Sequence, residues 1–249
     1  MAEPAGAMAE TPRHRKWQWP WWVSPAGTVS ALGVFTLYSL WETFTHTSGQ
    51  YQNYLSPFFS PDVRSIGIQF LPAVWVVWAP LLFRATCYYY RKAYYRSFFA
   101  DPLACARPEK ASREYRGETR LPFILNNLHR FFFYIAVVVM AFLWYDAVRA
   151  FIFPGGFGVG VGSLIMLVNV LLLSAYTFSC HAFRHLVGGS LDCFSCARGP
   201  ILRYSLWKTV SKWNQDHALW AWLSMFSVWG TDLYIRLLIM GVIHDVRLF

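Results

Sequence analysis

The chain has 249 residues, of which 56% are hydrophobic, 19% aromatic and only 14% charged, with a formal net charge of +9. Globular chains carry about 25% charged residues; here the deficit lies in long charge-poor runs between short basic stretches, which excludes an ordinary water-soluble domain and fits a polytopic membrane protein. The cations flank the apolar runs instead of forming a patch, so they speak for orientation in a lipid bilayer and against a nucleic acid partner.

Residues 1–24 read as an N-terminal cytoplasmic and interfacial segment. They lack the apolar stretch of a secretory signal, and RKWQWPWW at 15–22 combines cations with tryptophans suited to the membrane surface. Residues 25–249 read as one membrane domain. A spanning helix needs about 20 apolar residues, and five runs qualify, at about 26–45, 66–90, 122–151, 159–186 and 218–243. Backbone polar groups must be satisfied within lipid, and no run alternates with period two, so helices are expected and a barrel is not. The fold class is therefore all-α, a five-transmembrane-helix bundle. Residues 201–213, ILRYSLWKTVSKW, add an interfacial amphipathic helix with Leu202, Leu206, Val210 and Trp213 on one stripe. Lys and Arg concentrate before the first run, after the second and after the fourth, which places the N-terminus in the cytoplasm.

The glycine-rich stretch at 154–162, PGGFGVGVG, follows no strand and so fails the context of a phosphate-binding loop. Gly158 and Gly162 form instead a small-xxx-small pair suited to close helix packing. Asp232 and Arg236 are an intramembrane charge pair four residues apart. Such a pair either serves a proton route or a bound ligand, or neutralises itself and fixes helix packing. Glu42 with His46, and Asp146 with Arg149, are expected as interfacial pairs near the outer ends of the first and third runs.

Soft ligands cluster in CHAFRHLVGGSLDCFSC, residues 180–196. His181 and His185 share a helical face, and Cys193 and Cys196 follow as a C-x-x-C pair. These four are the expected metal ligands. Cys180 lies about 100° around the helix from His181, and it joins Cys87 and Cys105 as secondary candidates. A disulfide is not expected on a reducing cytoplasmic side, and c-type haem attachment needs a histidine where Ala197 stands. Two Cys and two His suit tetrahedral zinc or a Rieske-type [2Fe–2S] cluster, and the spacing leaves both open. Zinc would make the chain a metal-stabilised scaffold; a zinc hydrolase lacks its H-E-x-x-H. On the same side, Tyr89, His129 and Arg130 could bind the carbonyls of a quinone in an apolar, aromatic pocket. His129 with His181 or His185 could alternatively hold haem b.

FRATCYYYRKAYYRSFF (83–99), GETRLPFILNNLHRFFFY (117–134) and the 180–196 stretch together resemble the single-chain membrane anchor of a succinate dehydrogenase subgroup from actinobacteria and related prokaryotes. The likeness runs from about residue 51 to the C-terminus. It implies a five-helix anchor in the prokaryotic cell membrane, carrying a Rieske-type [2Fe–2S] cluster. It also implies two partners, a flavoprotein that oxidises succinate and an iron–sulfur subunit that passes electrons to this chain. Quinone, either menaquinone or ubiquinone, would be reduced here. Better-known anchors of the wider family hold haem b through histidines on separate helices.

Overall fold

The computed structural model describes residues 20, 22–90, 93, 124–189 and 191–249. Helix α1 (Val23–Thr45) and helix α2 (Pro72–Thr86) are joined by a loop containing a two-residue antiparallel ladder, β1 (Gln50–Tyr51) with β2 (Tyr54–Leu55). Helix α3 (Ile124–Arg149) leads through a second small ladder, β3 (Ile152–Phe153) with β4 (Gly156–Phe157), into α4 (Val161–Phe178). A short α5 (His181–Arg184), a π turn (His185–Gly189), α6 (Pro200–Gln215) and α7 (His217–Ile239) follow. An apolar cluster packs at each end of this helical bundle. Phe83, Phe133, Tyr176 and Met225 pack at one end, and Tyr54, Phe153, Met166 and Ile235 at the other. α7 lies against α4, α2 against α3, and α3 against α4.

Among the described residues, three segments are long and apolar enough to cross a membrane: Val23–Thr45, Leu128–Arg149 and Val161–Phe178. Their outward faces carry Leu37, Trp41 and Phe44 on α1 and Phe131, Val138 and Phe142 on α3, all exposed. Apolar residues on both the inner and outer faces are what lipid as solvent requires. The other two expected spans differ. α2 has only 15 residues, because Gly67 (φ 94°) closes a 3-10 turn and Pro72 starts the helix afresh. α7 has 23 residues and carries Asp232 and Arg236. It stops at Ile239, four residues before its expected end, where Gly241 adopts φ 68° and its N–H returns to the Leu238 carbonyl.

The fourth run also departs from expectation. It is not one helix to residue 186, because Cys180 adopts an extended backbone (ψ 145°). Asn214 on α6 donates to the Ser179 carbonyl, and the Cys180 sulfur accepts from the Ala182 N–H as the cap of α5. The segment expected to be amphipathic is helical, as α6. Val210 of its stripe is buried, whereas Leu202, Leu206 and Trp213 are exposed. The glycine pair has another role than helix packing. A Cβ on Gly162 would lie 2.6 Å from the Tyr54 ring, and one on Gly158 would lie 2.9 Å from Phe153 and from the Phe249 carbonyl. These glycines admit a loop tyrosine and the C-terminal chain. Residues 15–19 and Cys105 lie outside the described residues.

Candidate functional site

Four helix ends meet at the pole where α2 and α4 finish and α7 begins, with His129 on the early turns of α3. They enclose a cavity of about 580 Å³. Cys87 follows the last residue of α2, where its extended backbone (ψ 132°) ends the helix. Cys180 occupies the break after α4. Both thiols are buried. Each faces an imidazole from a different helix: Cys87 Sγ lies 3.5 Å from His217 Nε2, and Cys180 Sγ lies 3.0 Å from His129 Nε2. The site therefore holds two thiols and two imidazoles as two separate Cys–His pairs lining one cavity.

The far nitrogen of each ring fixes its tautomer. Thr86 Oγ1 donates to the Leu82 carbonyl at 2.7 Å, so its lone pair faces His129 Nδ1 at 2.9 Å. Ser179 Oγ donates to the Tyr176 carbonyl at 3.3 Å and faces His217 Nδ1 at 2.8 Å. A hydroxyl already donating elsewhere accepts from Nδ1–H, which leaves the Nε2 lone pair of both rings directed at the thiol and the cavity. Ring stacking restrains both planes. His129 stacks on Phe83 at 4.8 Å, and His217 on Tyr176 at 5.0 Å. The Arg84 guanidinium lies 4.7 Å from the Tyr176 ring centroid and donates to Tyr90 Oη and Ser224 Oγ. A cation thus braces the wall behind His217.

The expected ligand set is not assembled. Cys193 and Cys196 are bonded to each other as a disulfide with their Cα atoms 5.5 Å apart, which the C-x-x-C turn allows. In that state neither sulfur is a thiolate ligand, and the expectation of a reduced pair is corrected. His181 and His185 sit at the cavity rim and are exposed. Desolvation, then the neighbouring Arg184 and His185, lowers the His181 pKa from its ordinary value. Among the described residues, no group of three or more His, Cys, Asp or Glu side chains is placed to hold one metal ion. Cys87 and Cys180, secondary in the sequence reading, carry the buried thiols. His217 was no candidate; its signal was its place at the start of the fifth apolar run, level with the other three. Tyr89, His129 and Arg130 do line the same cavity, with the Tyr89 ring 5.1 Å from that of His217. Arg130 is exposed and donates to Tyr134 Oη at 3.1 Å.

At the other pole, the Asp232–Arg236 pair is divided between new partners. Arg236 binds the Glu42 carboxylate and donates to the Ser48 carbonyl at 3.1 Å. Asp232 accepts from Tyr38 Oη at 2.5 Å and from Ser56 Oγ. Glu42 is fully buried, and His46 lies 3.4 Å from it, so this pair is only in part the surface pair expected. Asp146 accepts from Ser60 Oγ at 2.5 Å, and Arg149 donates to Tyr145 at 3.2 Å.

The family model of the actinobacterial succinate dehydrogenase subunit SdhC matches residues 23–241. The chain belongs to that family. It is thus a membrane subunit of succinate dehydrogenase, consistent with a subunit that does not oxidise succinate on its own. A solved structure, the Mycobacterium smegmatis Sdh1 complex in the apo form, contains a chain 39% identical to this one. The two superpose with a TM-score of 0.79, and the match covers 98% of each chain. None of the curated proteins matches this SdhC-family chain.

Proposed function

We propose that this subunit anchors succinate dehydrogenase in the prokaryotic cell membrane and carries electrons from an iron–sulfur subunit to quinone through a Rieske-type [2Fe–2S] cluster. The ligands would be Cys87, His129, Cys180 and His217. The observation that carries this reading is the pair of Cys–His couples across one cavity, with both imidazole lone pairs set by a hydroxyl at the opposite nitrogen. Two thiols and two imidazoles spread around one cavity match the donor set of a Rieske-type cluster, which would take both thiolates on one iron and both imidazoles on the other, whereas a single tetrahedral zinc ion needs all four donors to meet at one point. They also suit such a cluster better than haem b, which would leave two buried thiols without a role.

When bound, such a cluster supplies a one-electron carrier inside the membrane boundary. The chain's own residues do the rest. Thr86 and Ser179 keep the ring protons on Nδ1, as hydrogen-bond partners of metal-binding histidines commonly do. Phe83, Tyr176 and Tyr90 keep water from the buried thiols. Tyr89 and Arg130 stand at the rim, where they would orient quinone carbonyls. On this reading α2 and α7 complete five crossings, the N-terminus is cytoplasmic, and α6 lies along the inner surface. The partners are a flavoprotein and an iron–sulfur subunit, which would dock on the side bearing the cavity.

The test is metal content of the intact complex. The wild-type complex contains one [2Fe–2S] signal in its electron paramagnetic resonance spectrum beyond those of its partner subunit, with iron and acid-labile sulfide to match. His217→Ala removes that signal while the flavoprotein still oxidises succinate with an artificial acceptor. The double variant His181→Ala/His185→Ala retains it. Zinc in place of iron, or loss in the double variant alone, overturns the assignment.

A further inference from the structure

Glu42, Asp232 and Arg236 meet in the buried interior of the bundle, at the pole opposite the thiols. Asp232 and His217 are 15 residues apart on α7, a rise of roughly 22 Å. The three groups carry two carboxyls and one guanidinium. All three are at least nine-tenths buried, with exposures of 0%, 1% and 4%. Two ionised carboxylates would leave one uncompensated negative charge there, which is strongly disfavoured away from water. One atom has room for the balancing proton: Glu42 Oε1 is buried and has no hydrogen-bond partner. Glu42 Oε2 is bound to Arg236, and both Asp232 oxygens are bound to hydroxyls.

The cluster has an edge toward the aqueous loop. The His46 side chain is 27% exposed and its Nδ1 lies 3.4 Å from Glu42 Oε2. The same nitrogen is 2.9 Å from Thr45 Oγ1, which already donates to the Trp41 carbonyl. A modest rotation of the ring therefore moves its Nδ1 proton from the threonine to the glutamate. The groups facing the carboxyls from every packed element are Tyr38 and His46 around α1, Asp232 and Arg236 on α7, and the Ser48 and Ser56 groups of the connecting loop. Arg64 stands behind Ser48, donating to its Oγ at 2.8 Å.

We propose that Glu42 and Asp232 share one exchangeable proton, loaded and released through His46 at the membrane face opposite the thiol–imidazole cavity. In loading, His46 Nε2 takes a proton from water and Nδ1 gives its proton to Glu42 Oε2, the oxygen it faces; a half-turn of the carboxyl then carries that proton to the unpartnered position and turns the other oxygen to Arg236, so the imidazole ends neutral and the carboxyl pair has one negative charge fewer. Release runs the same steps backward. No electrons move. The pair is thus a proton-binding site separate from the thiol–imidazole centre.

Infrared difference spectra of the whole succinate dehydrogenase complex in lipid nanodiscs test this independently of cluster loading. Near neutral pH, wild type shows the carbonyl band of one protonated carboxylic acid relative to Glu42→Gln. Asp232→Asn loses the same band, because either amide variant leaves one carboxylate matched to Arg236. His46→Gln keeps the band but slows its shift on transfer to D2O by on the order of tenfold or more. His46 is partly exposed, so that variant does not depend on tolerance of a core change. Absence of the acid band in wild type overturns the shared proton. A band removed by only one amide variant assigns it to a single residue and overturns the sharing. An exchange rate unaltered by His46→Gln overturns the route. A purely structural network predicts no dependence on His46.

Discussion

The two poles of the bundle bury comparable numbers of polar groups and use them in opposite ways. At the Cys87 pole the donors are neutral and soft, and they face open space. Among the described residues lining that cavity none is a carboxylate. At the Glu42 pole the groups are charged and hard, and they are consumed by each other: arginine by glutamate, aspartate by tyrosine and serine. Lone pairs held toward a cavity are an arrangement for binding something absent from the chain. Charges already matched inside a packed interior leave only a proton to exchange. Burial alone does not separate a ligand site from a packing device; the direction of the lone pairs does.

Removing the charge balance has the most severe consequence. Arg236→Met leaves Glu42 and Asp232 buried without their cation, and unpaired buried charge costs about 3–5 kcal/mol. The intact complex should then unfold at a clearly lower temperature. Adding both Glu42→Gln and Asp232→Asn to Arg236→Met, so that no carboxyl is left without a cation, should recover most of that loss. If the single variant is as stable as wild type, the guanidinium does not balance the carboxyls.

A smaller effect sharpens the other pole. Thr86→Val preserves shape and removes only the hydroxyl that sets the His129 tautomer. Outer-sphere partners of this kind change metal affinity by about 10- to 100-fold. The variant should lose iron correspondingly faster to a chelator, while Thr86→Ser, which keeps the oxygen, should not. Equal retention by Thr86→Val would mean that ring stacking on Phe83 suffices to hold the imidazole.

The apolar runs were legible because hydropathy and length are properties of a continuous stretch. α1 and α3 start and stop within a few residues of the expected bounds. α2 is shorter than its apolar run because Gly67 and Pro72 delay its start and the extended Cys87 ends it. The break after α4 was not legible, since it depends on Asn214, 35 residues further along the chain, taking the Ser179 carbonyl. The thiols and imidazoles around the cavity were hidden for the same reason. H-x3-H and C-x-x-C are local patterns, and they drew attention to residues at the rim and in a disulfide. The Cys–His pairs join residues 130 and 51 positions apart. Only the shared depth of four helix ends relates them, and depth is read by aligning run boundaries, not by spacing along the chain.

The smallest effect concerns the outer support of the charged pole. Asp62 accepts from the Arg64 guanidinium at 2.8 and 2.9 Å, and Arg64 in turn holds Ser48, whose carbonyl receives Arg236. The Arg64 hydrogen bonds, against an opposing cost of burial, hold the Asp62 carboxyl below its ordinary range. A depressed carboxyl stabilises the fold above its unfolded value of about 3.9 and loses that contribution as pH falls through the lower folded value. Both partners are partly exposed, so the gain is under about 1 kcal/mol. Asp62→Asn should therefore lower the melting temperature of the complex slightly at neutral pH, and the two proteins should converge in acid. A difference that persists unchanged into acid would show that the loop is held by the hydrogen-bond geometry of Asp62 and not by its charge.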